Sequence, residues 1–327
     1  MFTVFKLSRN TCLECLREPV FYLMLVTALV LIGIFPYFSM FVFRQQIKLV
    51  TDSAMATTLL FGLFASVLCS SHCISREMKN GTVLLLMSKP VTRLQFILSK
   101  MLGILSALTL FVFACNSATW LSILIAKDQF NLSIPLIVLY FGVIVLSALY
   151  GGLMNYFHQK SFVANAVVAT SVLYLPISIV SQIVRTNSLS EIFKADPESY
   201  LPLGILLPAL LLLFFAVWSM GVISSTLATR LELVGNLVVC FLVFLSGLVL
   251  YYFMSKIFGD GSVFSLLCTA VVPNWQLFWM ADATTNHAQI PLLYIVWNFL
   301  YTLLLMVVWG FWAYYLFADN ELARDTR

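Results

Sequence analysis

Eight stretches of more than twenty residues, each free of Asp, Glu, Lys and Arg, divide this chain: Val20 to Phe43, Ala54 to Ile74, Met101 to Ala126, Ser133 to Met154, Phe162 to Val184, Leu203 to Ala228, Leu233 to Ser255 and Pro291 to Phe317. At about 1.5 Å of rise per residue, each is long enough as a helix to cross a hydrocarbon core of about 30 Å. Backbone polar groups in lipid must find partners within their own segment, and long uniform apolar runs do so as helices. The expected fold is all-α: a polytopic membrane protein of about eight transmembrane helices, forming a single domain over residues 1–327. Composition agrees, with 61% apolar residues, 10% charged residues and a mean hydropathy of +0.99.

Met1 to Glu18 is mixed polar, and the first apolar run is a full span without a small-residue cleavage site, so the first helix is expected to be retained. Phe2 to Glu18 reads as an N-terminal interfacial helix. At 100° per residue Phe2, Phe5, Cys12, Leu13 and Leu16 share one side, and Lys6, Asn10, Glu14, Arg17 and Glu18 fall opposite. Pro19 then lets the chain bend into the bilayer. With the N-terminus inside, the inner connections hold twelve Lys and Arg and the outer ones six. That asymmetry predicts a multi-pass protein of the cytoplasmic (inner) membrane, with both termini and the connection 75–100 in the cytoplasm.

Several function classes are excluded on chemical grounds. A net charge of +4 without a basic patch gives no reason to expect a nucleic-acid partner. Ion-driven transporters keep ionisable groups within their spans, whereas the only such groups at depth here are His72 and the thiols. No Gly-x-x-x-x-Gly-Lys-Ser/Thr occurs, so the chain binds no nucleotide through a P-loop of its own. His-Glu-x-x-His and Gly-x-Ser-x-Gly are missing too, and the expectation is a non-enzyme with no cofactor in this chain.

One polar island stands out between the second and third runs. It reads Ser75-Arg76-Glu77-Met78-Lys79-Asn80-Gly81-Thr82, then an apolar stretch, then Ser88-Lys89-Pro90-Val91-Thr92-Arg93, and it reaches Lys100. This pattern resembles the first cytoplasmic loop of type-2 ABC exporter permeases. Arg9 to Arg17, with Thr11, Glu14 and Arg17, is similar to the N-terminal connecting helix of the same family. Pro273-Asn274-Trp275-Gln276-Leu277-Phe278, followed by Ala281-Asp282 and a last helix opening at Pro291, resembles the end of permeases of the nitrous-oxide-reductase maturation type.

The resemblance implies a cytoplasmic coupling helix in the island, with Arg76, Glu77, Gly81, Thr82, Pro90 and Arg93 as the residues meeting an ABC ATPase subunit. It further implies two permease copies working with two copies of that ATPase, which carries the ATP and Mg²⁺, in export of an unidentified substrate. The other reading is a membrane anchor or assembly subunit of a cell-envelope or respiratory complex, without transport of its own.

Smaller patterns add candidates. Ala54, Thr58, Gly62, Ser66 and Ser70 make a stripe of small residues along the second span, suited either to packing within one chain or to a translocation seam between two copies. Cys69, His72 and Cys73 share a helix face, and Cys12-x-x-Cys15 has redox spacing. Both read more simply as packing thiols, and no metal is expected. Two helix pairs, opening at Pro135 and Pro202, resemble each other at an offset of nearly seventy residues, either by duplication or by chance. The segment 256–290 reads as an outer interfacial piece with an aromatic belt.

Overall fold

The computed structural model describes residues 2–38, 42, 46–80, 92–126, 133–186, 203–258, 263–285 and 288–325. Among them every regular element is helical. The order is α1 (Phe2–Arg17), α2 (Pro19–Phe38), α3 (Gln46–Ser70), a π-turn (Ser71–Ser75), α4 (Arg76–Asn80), α5 (Arg93–Ala126), α6 (Ile134–His158) and α7 (Phe162–Thr186). There follow α8 (Leu203–Leu227), α9 (Leu233–Phe258), α10 (Val263–Val271), a 3₁₀ turn (Trp275–Phe278), α11 (Ala281–Thr285) and α12 (Leu292–Asp325). Among the described residues eight helices, α2, α3, α5, α6, α7, α8, α9 and α12, are long and apolar enough to cross a membrane, so the chain is an all-α polytopic membrane protein.

Two boundaries correct the sequence expectation. The second span does not end at Ile74: the helix continues through the π-turn and α4, so Arg76 and Glu77 stand on helix rather than loop. The third span does not begin at Met101 but at Arg93, eight residues earlier. Thr92 is the reason. Its Oγ1 accepts from the Gln95 amide at 3.3 Å while Gln95 Oε1 accepts from the Thr92 amide at 3.2 Å, a reciprocal pair that caps the helix start.

Helix α5 runs through the middle of the molecule, packed by α1, α2, α3, α7 and α8. In lipid the apolar effect does not hold helices together, so close fit and interhelical hydrogen bonds must. Asn116 Nδ2 of α5 donates to the Leu210 carbonyl of α8 at 2.9 Å, and Ser122 Oγ donates to the Ile32 carbonyl of α2 at 2.8 Å. Trp120 Nε1 donates to Gln182 Oε1 of α7 at 3.2 Å. Tyr140 of α6 is fully buried and donates to the Leu29 carbonyl at 2.6 Å.

The two hairpins that resemble each other in sequence are built differently. Gly151 of α6 packs on Phe162 and Ala166 of its own partner α7, and Thr170 Oγ1 donates to Ser147 Oγ at 2.9 Å. Gly221 of α8 instead packs on Leu105 and Leu108 of α5. Equivalent small residues thus serve different neighbours.

The segment before α12 closes one end of the bundle. Tyr301 Oη donates to the Thr269 carbonyl at 2.7 Å, Trp309 Nε1 to the Val271 carbonyl at 2.8 Å, and Tyr294 Oη to the Leu277 carbonyl at 2.7 Å. Trp275 and Phe278 are buried, so these two aromatic side chains pack inside the protein. Asn274 side-chain oxygen accepts from the Gln276 amide at 3.1 Å and starts the 3₁₀ turn.

Candidate functional site

Three elements meet at the end of the bundle that carries α1. Helix α1 can lie close against α5 because Gly103 offers no side chain: a Cβ there would come within 2.5 Å of Thr11 Cβ and 2.7 Å of the Ser8 carbonyl. Thr11 is accordingly buried, with Oγ1 donating to the Leu7 carbonyl at 3.1 Å. The α1 faces differ from the sequence expectation. Thr11, Cys15 and Leu16 form the buried side, Phe5 is exposed, and Glu14 turns toward the protein. Small residues rather than the largest apolar ones decide the docking face, since only they permit the approach. Arg17 is exposed.

At the centre of the junction stands Lys100, one helical turn before Gly103. It is only 3% exposed, although its place beside a span reads in sequence as one more solvated positive charge. Its Nζ donates to Glu77 Oε1 at 2.7 Å and reaches Glu14 Oε2 at 3.5 Å, and it lies 6.0 Å from the centre of the Phe96 ring. A buried ammonium is tolerated only with opposite charge at hand, and here the carboxylates come from α4 and α1. One lysine therefore ties the start of α5 to the helix end before the 81–91 segment and to the N-terminal helix.

A second polar contact adjoins it. His72 Nε2, in the π-turn, is 2.6 Å from Glu18 Oε1 and 2.7 Å from Arg76 Nη1. A ring nitrogen cannot donate to the carboxylate and accept from the guanidinium at once. The 2.6 Å contact to the carboxylate and the 2.7 Å contact to the guanidinium make opposite demands on Nε2, and the tautomer decides which is met. Among the described residues the buried Nδ1 of His72 has no hydrogen-bond partner. Lys79 Nζ and Glu232 Oε1, 3.0 Å apart and largely exposed, join α4 to the turn between α8 and α9. At that exposure the pair is worth about 0 to 1 kcal/mol.

Of the other expected coupling residues, Arg93 is exposed at the start of α5. Gly81, Thr82 and Pro90 lie outside the described residues, as does the expected coupling helix around them. The small-residue stripe is buried within the chain. Gly62 faces Val217 of α8, where a Cβ would come within 2.7 Å of Cγ2, and Ser224 Oγ donates to the Ser66 carbonyl at 3.2 Å. Asn236 Nδ2 donates to Ser70 Oγ, Ser71 Oγ and the Ser224 carbonyl at 3.1 to 3.3 Å. Thr58 is fully buried on the same helix, so of the two uses offered by the stripe the structure has it packing inside one chain. Another face of α3, with Thr57 and Leu60, lines an apolar cavity of about 740 Å³ together with Phe35, Phe244, Trp275 and Trp279.

Sequence reasoning missed Lys100 as a site residue and Glu18 as a partner of His72. The missing signal is distance along the chain: Lys100 is 23 residues from Glu77 and 86 from Glu14. Compared with known proteins, the chain matches no family model, no curated protein and no solved structure.

Proposed function

We propose that this protein is the membrane-spanning subunit of an ATP-driven exporter of the type-2 ABC kind, working as two copies with two copies of a separate ATPase. The reading starts from the resemblance of residues 75–100 to the coupling loop of that family. The observation that supports it is the Lys100 junction. A connection that served only to keep positive charge in water would have no use for a lysine that is 3% exposed. A connection that must carry force needs its two flanking helices held to each other. Lys100 does that by joining Glu77, before the segment, to α5, after it, and by recruiting Glu14 of α1.

In this account the ATPase engages residues 81–91 on the cytoplasmic side. Closure of the ATPase dimer pushes on that segment, and the push reaches α3 through the Glu77 backbone and α5 through Lys100. Helix α5 is central, so its tilt moves α2, α3, α7 and α8 together. The test uses Glu77→Ala and Gly81→Val. Both keep the number of basic residues, so a purely topological connection leaves them silent. The coupling account expects normal membrane insertion with reduced ATPase co-purification or reduced ATP hydrolysis by the complex. Full partner binding and full hydrolysis in both variants overturn it.

A further inference from the structure

Two cysteine-containing patterns that sit fifty-eight residues apart in sequence meet at one point. Cys15, from the Cys12-x-x-Cys15 turn of α1, has its Sγ 3.3 Å from Sγ of Cys73 in the π-turn. Cys69, one turn earlier on α3, lies beside the Cys15 thiol. One donor atom each from Glu14, His72 and Cys73 lies within 4.8 Å of the others. We propose that Cys73, His72 and Glu14, joined by Cys15 whose Sγ lies against Cys73, form a binding site for one thiophilic d¹⁰ cation, Zn²⁺ or Cu⁺.

Three features of the site agree. The donor set combines two thiols, an imidazole and a carboxylate, the mixture that borderline and soft cations select over Mg²⁺ or Ca²⁺. The imidazole is prepared: Nε2 faces the Glu18 carboxylate at 2.6 Å, and Nδ1 is buried without a hydrogen-bond partner among the described residues. A carboxylate behind the far nitrogen is the usual way to fix the tautomer and ring orientation of a metal-bound histidine. His72 and Cys73 stand on a π-turn, an interruption of regular helix found frequently at functional sites.

Access and charge also fit. A cavity of about 310 Å³, lined by Cys69, Glu18, Lys79 and Glu232, reaches the site at His72, the one proposed ligand on its wall. Both Lys79 and Glu232 are largely exposed, so the cavity opens at the surface beside them. Around the thiols three carboxylates, Glu14, Glu18 and Glu77, face two fixed cations, Lys100 and Arg76, a balance of 2 − 3 = −1 that attracts a cation. Binding releases the thiol protons to solvent as the thiolates form. With metal–sulfur bonds of about 2.3 Å in a tetrahedron, the two sulfurs stand about 3.8 Å apart, so they open by about half an ångström. Glu14 supplies its oxygen by giving up the longer, 3.5 Å contact to Lys100, which keeps Glu77 at 2.7 Å.

The experiment uses the full chain in mild detergent, reduced and stripped with a chelator, then titrated with Zn²⁺, with Cu⁺ and with Co²⁺ as a spectroscopic probe. Expected are one equivalent of metal, a thiolate-to-cobalt charge-transfer band, and a rise in melting temperature on metal addition. Glu18→Gln keeps the fold and weakens binding about 10- to 100-fold, because it removes only the partner behind His72. Cys73→Ser abolishes the charge-transfer band, and Cys268→Ser, on α10, changes nothing. Should Cys73→Ser fail to fold, the wild-type cobalt spectrum and Glu18→Gln decide alone. A wild-type chain without a thiolate band, or one whose binding is unaltered in Glu18→Gln, overturns the site and makes the thiols packing residues. The tighter of Zn²⁺ and Cu⁺ identifies the cation.

Discussion

Lys100 Nζ lies 2.7 Å from Glu77 Oε1, and the two residues stand on opposite sides of the segment 81–91, Glu77 in the last turn before it and Lys100 two turns into the helix that follows. The pair ties together the two helices that flank that segment, and they cannot separate without exposing a buried ammonium. Glu14 adds α1 to the same junction.

Removal of the lysine is therefore costly. Lys100→Met leaves the carboxylates of Glu14 and Glu77 facing each other without their shared cation. Breaking a buried pair on one side costs about 3 to 5 kcal/mol, and the partial exposure of Glu14 puts the expectation at the lower end, about 3 kcal/mol. The measure is the melting temperature of the detergent-solubilised chain. A variant that melts with the wild type contradicts the burial of Lys100.

The α1 docking predicts a contrast between two glycines. Gly103→Val drives a side chain into Thr11 and the Ser8 carbonyl, whereas Gly142 has no atom within 4 Å of where its Cβ would stand. Gly103→Val should lose about 1 to 3 kcal/mol of stability and Gly142→Val close to none. Equal melting of the two variants removes the close contact between α1 and α5.

The small-residue stripe makes an intrachain prediction. Gly62→Leu should destabilise each chain by forcing α3 away from Val217, and the loss should not depend on protein concentration. Asn236→Leu, which removes three hydrogen bonds to Ser70, Ser71 and Ser224, should cost about 1 kcal/mol. Concentration-dependent melting in Gly62→Leu, with the monomer unaffected, would move the stripe back to a seam between copies.

How much of this was readable in advance differs from element to element. The eight spans were legible because an uncharged apolar run of this length has few alternatives to a membrane helix. The early start of α5 was also written in the chain, as Thr92-x-x-Gln95, but the apolar run drew attention to Met101 instead. Lys100 was legible as a charge and not as a buried one. Burial depends on whether carboxylates converge on it, and Glu77 and Glu14 come from two other helices. Glu14 itself fell on the polar side of α1 because a helical wheel ranks residues by polarity, while the docking face was chosen by the close approach of Thr11 and the Ser8 carbonyl to Gly103. The stripe announced close packing but named no partner, since the matching Val217 carries no pattern of its own.

Orientation yields a prediction of its own. In a cysteine-free chain carrying single cysteines, an impermeant thiol reagent applied to intact cells should label Asp196→Cys and Asp260→Cys and spare Asn80→Cys and Thr326→Cys. Labelling at position 80 reverses the orientation and removes residues 75–100 from the cytoplasm, and the coupling account goes with it.

The most direct measurement is the identity of the proteins that the full-length chain retains from its own membrane in mild detergent, read together with ATP hydrolysis by the retained complex. The account predicts an ATPase with Walker motifs, whose hydrolysis falls in Glu77→Ala while the chain inserts normally. Retention of a cell-envelope or respiratory enzyme, with no ATP-hydrolysing partner, contradicts it.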